Sequence, residues 1–484
     1  MLRRLKQGPA WVAAAALILT LTLNQSAALA GDGSWWQTMG AGSTLSGYYK
    51  NETAYRYREP RSFTKIRNIL YLDSQIPLAS MLDLRAAGWA YHDTVYDLYN
   101  YDTIAARAER ESIQPLNYIA GLQEQQDNDV AELRELYLDL QLERADLRLG
   151  RQFIVWGVMT GVRVVDELNP MDFREMVNLD LMDYRIPLWS ARSHLYLTDS
   201  STLELVWIPD IRFHKPAPPG SEWELLQTVP GTIFPDTMAG KVAEYGYKLS
   251  TTLLGTELSW SYFDTWDDFP VIFRKVRADE QVEQPAFYPT FSRIKMTGMT
   301  VQRPLFGQVI KGELAYVKDK YFAYKSTVDR NRDGYVDSYG EAQADHVRVG
   351  IGLDFNLLRT EVSLGGVQWI IPRYDPGLIQ PQTDTSINLF IRKELPQRRA
   401  VFQMLGIYSV NMNETYLKPR LTFTMTDQLQ ITGGLDLYSG QGSQVGVASI
   451  NGRATEIAAI EQRFRFFGNF DLNDRLVMEV KYNF

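Results

Sequence analysis

The chain has 484 residues, a formal net charge of −8 and no cysteine, so no disulfide framework, thiolate metal site or covalent haem attachment can be built from it. The acidic balance argues against nucleic acid as a partner. Aromatic residues make up 12% of the chain, with 27 Tyr and 11 Trp, a supply suited to the two interfacial girdles of a membrane barrel.

The amino-terminal end reads as an export signal. Arg3, Arg4 and Lys6 precede an apolar run from Trp11 to Leu23, and Ala28-Leu29-Ala30 offers a small-x-small cleavage site. That run is shorter than the ~20 residues a spanning helix needs. Residues 1–30 are therefore expected to be a removed signal peptide, 31–44 a periplasmic amino-terminal segment and 45–484 the folded body. No later stretch reaches that apolar length without charge, so entry into a membrane requires a closed barrel.

Candidate strands then come in pairs whose connections alternate between short and long. Short ones fall near residues 77–80, 145, 199–201, 254–255, 305–307, 358, 396–397 and 427. Long ones fall near 97–130, 157–189, 209–240, 267–288, 325–344 and 440–473, with a moderate one at 374–384. This asymmetry belongs to outer-membrane barrels, with short periplasmic turns and long outer loops. The expected fold is all-β: a transmembrane antiparallel β-barrel of about 18 strands, with a long inward-folding loop containing a short helix. Sixteen strands is the alternative count if a weak pair near residues 45–75 is misread. A soluble β-sandwich is the competing architecture, and the loop asymmetry counts against it.

The segment Tyr99 to Gln126 reads as partly helical, with Ile104, Ala105, Ala108 and Ile119 capping an outer loop. From Leu133 onward the dyad pattern is strong. Leu136, Leu138, Leu140 and Leu142 point to lipid, which places Glu135, Tyr137, Asp139, Gln141 and Glu143 on the lumen wall. In the next strand Arg148 and Gln152 face inward, with Arg148 expected near Asp139, Gln141 or Glu143. Arg151 falls on the wrong face, and a bulge at Gly150 is expected to rotate it inward.

The connection after Trp156 is the expected constriction. Asn169-Pro170 reads as an N-cap followed by proline at the first helical position, opening a helix through about Leu181. The loop carries Arg163, Asp166, Glu167, Asp172, Arg174, Glu175, Asp180, Asp183 and Arg185, with Arg192 just beyond it. Opposed charges of this kind across a pore would create a transverse field. A solvated surface loop is the alternative, against which stand its apolar residues Val158, Val162, Val164, Val165, Met171, Phe173, Met176 and Val177.

Further on, Asp329, Asn331, Asp333, Tyr335 and Asp337 stand at alternate positions with Gly334 sixth, the spacing of a calcium loop. The twelfth position is Gly340 where that loop has glutamate, so a structural calcium and a polar turn stand as equal readings. No cofactor is otherwise required. Strands around 345–357 and 420–438 repeat the dyad pattern. The last residues do the same: Leu476, Met478, Val480, Tyr482 and Phe484 share one face, and Val477 is the one apolar exception on the other.

The run Arg148-Leu149-Gly150-Arg151-Gln152, then Trp156-Gly157, then Asn169-Pro170, resembles the signature of a family of proteobacterial outer-membrane porin-like barrels. A more distant similarity is to alginate-export-type porins. The resemblance implies a porin-like barrel, makes Gly150, Arg151, Trp156, Gly157, Asn169 and Pro170 motif positions, and links the chain to hydrophobic-substrate catabolism.

Of the four histidines, His92, His194, His214 and His346, none pairs with a serine in a recognisable hydrolase signature, so the chain is not expected to be an enzyme. Two functions follow. One is an outer-membrane porin or substrate-selective channel for small solutes, surrounded by lipid and forming a monomer or homotrimer. The other is a scaffold that displays its loops or sheathes a partner protein, as in a porin–cytochrome electron conduit. A structured inward loop discriminates between them, because a sheath needs an empty lumen.

Overall fold

The computed structural model describes residues 42–98, 129–176, 183–215, 217, 223, 242–275, 286–323, 341–441, 445–450, 453–459 and 466–484. The expected signal peptide, the segment 99–126, Asp180 and the calcium-type run from Asp329 to Asp337 lie outside the described residues.

The strands follow from the period-2 pattern. The first half of the barrel is β1 (Thr44–Arg56), β2 (Ser62–Ala79), β3 (Leu82–Asp93), β4 (Asp129–Leu142), β5 (Ala145–Gln152), β6 (Leu188–Thr198), β7 (Ser201–Ile208), β8 (Glu244–Leu253) and β9 (Thr256–Trp266). A two-stranded ribbon, β10 (Val271–Lys275) and β11 (Ala286–Thr290), stands apart from the barrel sheet. The second half is β12 (Arg293–Leu305), β13 (Gln308–Ala323), β14 (Glu341–Leu357), β15 (Thr360–Ile370), β16 (Thr383–Leu395), β17 (Ala400–Ser409), β18 (Glu414–Thr424) and β19 (Leu429–Ser439). After a second ribbon, β20 (Val445–Ile450) and β21 (Arg453–Ala459), the chain closes with β22 (Arg475–Asn483).

Eighteen strands form one antiparallel sheet, and β1 pairs with both β2 and β22. The sheet therefore has no free edge, which is the condition for placing strands in hydrocarbon. Gly47 and Phe484 complete the seam by exchanging backbone hydrogen bonds of 3.0 Å in both directions. The pair near residues 45–75 is real: β1 and β2 run together from Thr44↔Gln75 to Arg56↔Ser62. The count is eighteen.

The two faces differ as a membrane requires. On β14, Ile351 is 65% exposed while its neighbours on the inner face, His346 and Arg348, are 4% and 6% exposed. On β22, Leu476, Met478 and Tyr482 stand outward while Arg475 is buried. An apolar exterior around a charged interior makes this a transmembrane β-barrel of the bacterial outer membrane. No helix among the described residues is long and apolar enough to cross a membrane, and the helix Val95–Leu98 is a single turn.

Short turns fall where expected. Leu254 and Gly255 both have positive φ (51° and 72°), the two-residue turn whose twist matches the flanking strands. One break in the wall has a local repair. The β18–β19 ladder lapses between Leu417↔Leu437 and Arg420↔Gly434, where Pro419 has no N–H to give. Arg420 donates to the Leu435 carbonyl and to Asp436 Oδ1, both at 2.5 Å, so a side chain replaces the missing backbone donor.

The expected bulge at Gly150 is corrected. Gly150 has φ +138°, but β4 and β5 pair without a register shift. The extra residue lies instead in β4, where Glu135↔Ala87 is followed by Leu133↔Gly88 and Arg134 is left over. Arg151 is buried and reaches Glu132 Oε1 at 3.3 Å.

Candidate functional site: the loop across the lumen

The described residues of the β5–β6 connection, 153–176 and 183–187, leave the wall and pack against the inside of the barrel. Its apolar residues Ile154, Trp156, Val164, Val165 and Leu168 are almost fully buried against Val206 and Ile208 of β7, Phe263 of β9, Met296 of β12, and Ala315 and Val317 of β13. The wall is shaped to receive them. A Cβ on Gly350 would stand 2.9 Å from Val164 Cγ2, and one on Gly298 3.0 Å from Val165 Cγ1, so a larger residue at either place would force these valines or the wall to shift.

Polar groups fix this limb. Glu313, on the inner face of β13, accepts the main-chain N–H groups of Val158, Met159 (2.8 Å) and Val165 (3.1 Å). Asn388 of β16 donates to the Thr160 carbonyl at 2.6 Å, and Trp156 Nε1 donates to Glu204 of β7 at 2.9 Å. Glu167 pairs with Arg348 of β14 at 2.6 Å. Burial favours its neutral form, but the Arg348 and Arg163 guanidiniums outweigh that and hold its carboxyl at about 2.

The expected helix from Asn169 is replaced by an irregular strap. The Asn169 side chain joins its two limbs, accepting from the Ile154 N–H and donating to the Ile186 carbonyl, both at 2.8 Å. Met171 and Asp172 form isolated bridges to Arg185 and Lys215, and the backbone of Asp172 and Ile186 is committed to Tyr184 and Pro170. A backbone already paired across the loop cannot start a helix; residues 177–182 lie outside the described set. His214 is buried beside the strap and accepts the Met171 N–H at Nδ1 (2.8 Å); burial keeps its imidazole well below its usual range, in agreement with that acceptor role.

The strap then reaches the far wall. Glu175 meets Lys65 Nζ at 2.5 Å and Arg67 Nη1 at 2.6 Å, both on β2, with Arg475 of β22 at 3.9 Å. Burial would raise the Glu175 carboxyl, yet Arg67, Lys65 and Arg475 together hold it at about 2. Asp183 lies 3.9 Å from Lys50 of β1, and the Asp183 and Arg185 carbonyls accept from Arg134 at 3.2 and 2.9 Å. Around the closed ring β13 stands nine strands from β2, half of eighteen, so one loop is fastened to diametrically opposite walls.

Among the described residues, the charges expected at the constriction are engaged with partners. Asp166 pairs with Arg185; Arg174 holds Asp172 at 2.8 Å; Arg163 donates to the Asn169 carbonyl at 3.1 Å; Arg192, on β6, pairs with Glu204 at 2.7 Å. On the lumen wall Arg148 pairs with Asp139 at 2.6 Å and Glu135 with Arg85 at 3.1 Å, while Gln152 is fully buried. Glu143 is corrected: it sits exposed in the β4–β5 turn, because β4 ends at Leu142. Sequence reading missed Glu313, Lys65, Arg67 and Asn388, which carry no local signal beyond an inward position on a strand.

Glu167 and Glu175 make docking pH-dependent in a defined window. Their carboxyls stand at about 2 when docked against an ordinary 4.5, so the released loop binds more protons. The stabilisation is complete above 4.5 and is lost as pH falls toward 2. Hydrogen-exchange protection of the loop amides is expected to be constant from about pH 8 to about pH 5 and to fall below about pH 4. Protection that changes between pH 8 and 5 would place the controlling group elsewhere (window of about three units).

A protein-family comparison matches residues 66–363 to the family described as "Protein of unknown function (DUF1302)". The chain belongs to that family. The DUF1302 stretch contains Arg67, the whole β5–β6 loop, Glu313 and Arg348, whereas Arg475 lies beyond it. Among curated proteins none matches. Solved structures similar to this DUF1302 chain include Acinetobacter baumannii OccAB4, with 10% identity and a TM-score of 0.49 over 91% of this chain and 98% of that one. Pseudomonas aeruginosa OccK2 (OpdF), in complex with glucuronate, is 9% identical with a TM-score of 0.47 over 92% of this chain and 98% of that one. Salmonella typhi OmpF is 10% identical with a TM-score of 0.38 over 91% and 97%. At such scores the fold rests on the strand registers above.

Proposed function

We propose that the protein is a passive outer-membrane channel for small solutes, with the β5–β6 loop as its constriction. The observation that carries this reading is the fastening of that loop to opposite walls, at Glu313 on one side and at Lys65 and Arg67 on the other. A loop pinned at both ends narrows a lumen without closing the barrel wall. Because its charges are mostly paired with one another or with the wall, we read it as a size filter first and a charge filter second. Association of barrels into a homotrimer belongs to the same proposal and is read by chemical crosslinking in the native membrane.

The sheath reading requires a lumen wide enough for a folded partner, and a transverse loop speaks against it. Single-channel recording of the refolded protein in a planar bilayer separates the two. Small, discrete, reproducible steps are expected. Steps as large as an unobstructed eighteen-stranded barrel would favour the sheath, and silence from a correctly folded barrel would remove the channel.

A further inference from the structure

One residue on the closing strand breaks the inner-face pattern. The inward positions of β22 run Arg475, Val477, Glu479 and Lys481, and Val477 alone is apolar. It stands opposite Ala54 on β1 and Gly434 on β19, so three adjacent strands lack a long inward side chain at one height. The next strands on either side carry Lys65, opposite Ala54, and Arg420, opposite Gly434. The result is a niche of about 20 Å³ in the lumen wall with Ala54 and Val477 among its lining residues. That volume accepts a group the size of a water molecule or a carboxylate oxygen.

The rim is mainly cationic. Lys50, Lys65, Lys418, Arg420 and Arg475 line it, against Glu52, Asp183 and Glu479. Asp436, fully buried, pairs with Arg420 and Arg475 at 2.5 and 2.6 Å. Glu52 braces Lys50 and Lys65 at 2.6 and 3.1 Å. These pairings fix the cations in place and moderate their field. One lining cation keeps an unused donor: Arg475 is 2% exposed, its guanidinium lies 5.0 Å from the Trp223 ring centroid, and its Nη1 has no hydrogen-bond partner among the described residues. A buried guanidinium N–H without an acceptor is costly, and an anionic oxygen is the acceptor that satisfies it best.

We propose that this niche binds the carboxylate of a small monocarboxylate, with one carboxylate oxygen seated over the Ala54–Val477 floor as acceptor for Arg475 Nη1 and the carbon chain left in the lumen. A cation is repelled by the rim, and an apolar group leaves the donor unsatisfied. As a station for a permeating solute the niche rests on the channel reading; as a binding site it stands alone.

The test uses the refolded full-length barrel in detergent and carbon-13 acetate, with acetamide as the neutral isostere. Wild-type protein is expected to broaden the acetate carboxylate resonance and to leave acetamide sharp. Val477→Asp places the chain's own carboxylate in the niche and is expected to cut the broadening about tenfold or more. Val477→Leu, which fills the floor without charge, should do the same, and serves if the aspartate variant does not fold. Leu476→Ala, on the lipid face, should broaden acetate as wild type does. Unbroadened acetate in the wild type, equal broadening of acetamide, or undiminished broadening in a folded Val477 variant overturns the proposal. A barrel that binds acetate in this pattern but passes no current keeps the niche and removes the channel. One that conducts without binding acetate does the reverse.

Discussion

Glu313→Leu is expected to raise the single-channel conductance several-fold and to make the open level noisy. Glu313 is 4% exposed, and its two oxygens accept three main-chain N–H groups from the β5–β6 loop. No salt bridge reaches it among the described residues, so its charge is balanced by those backbone donors alone. Hydrogen bonds to a charged acceptor contribute about 1.5–3 kcal/mol each, and leaving a buried N–H unmade costs about 1–3 kcal/mol. Three such groups are a large part of what holds residues 158–165, while the apolar burial of Ile154, Trp156 and Leu168 and the barrel's own ladder are untouched. This stretch of the loop is therefore expected to loosen from the wall rather than the barrel to unfold. Glu313→Gln, which keeps one acceptor oxygen and turns an NH₂ toward the donors, should fall between leucine and wild type. The measurement is conductance in a planar bilayer, with retained heat-modifiable migration as proof of folding. A folded Glu313→Leu barrel with wild-type steps would mean that the limb does not narrow the pore.

That dependence on Glu313 shows where the sequence stops being readable. The strands were legible because side-chain direction alternates with period 2 and short turns are local: Ile351 outward and Arg348 inward follow from position alone. The inward path of the loop was legible too, since Val164, Val165 and Leu168 are too apolar for a solvated surface. The partners were not. Glu313 is 155 residues from Val158, and nothing near either residue in the chain names the other. The helix expectation failed for a related reason. Asn169-Pro170 has the residue types of a helix start, but the Asn169 amide is used to tie Ile154 to Ile186, a tertiary demand that local propensity cannot register. The bulge was half visible: a change of face near Arg151 could be seen, yet one strand's sequence cannot say which partner carries the extra residue, and it is Arg134 on β4.

Glu175→Gln works on the opposite wall and should change the sign of selection more than its size. Lys65 and Arg67 would each keep one carboxylate, Glu52 at 3.1 Å and Asp93 at 3.2 Å, and lose the one supplied by the loop. Removing one partner from a buried ion cluster costs about 3–5 kcal/mol, enough to free this end of the strap, and it leaves one uncompensated positive charge beside the lumen. Glutamine keeps the volume, so the conductance should rise only modestly. The potassium-to-chloride permeability ratio should fall, most at low salt, because screening shortens the reach of the charge as ionic strength rises. Protonation does the same thing reversibly. Wild-type protein titrated from an ordinary carboxyl value of 4.5 toward about 2 should drift toward anion selectivity, and Glu175→Gln should begin there and drift less. Glu313→Leu, which bears on the other limb, should widen the pore while leaving Lys65 and Arg67 paired with Glu175. If Glu175→Gln leaves the low-salt reversal potential unchanged in a folded barrel, permeating ions do not pass near β2, and the path would then lie on the β7–β9 side of the strap.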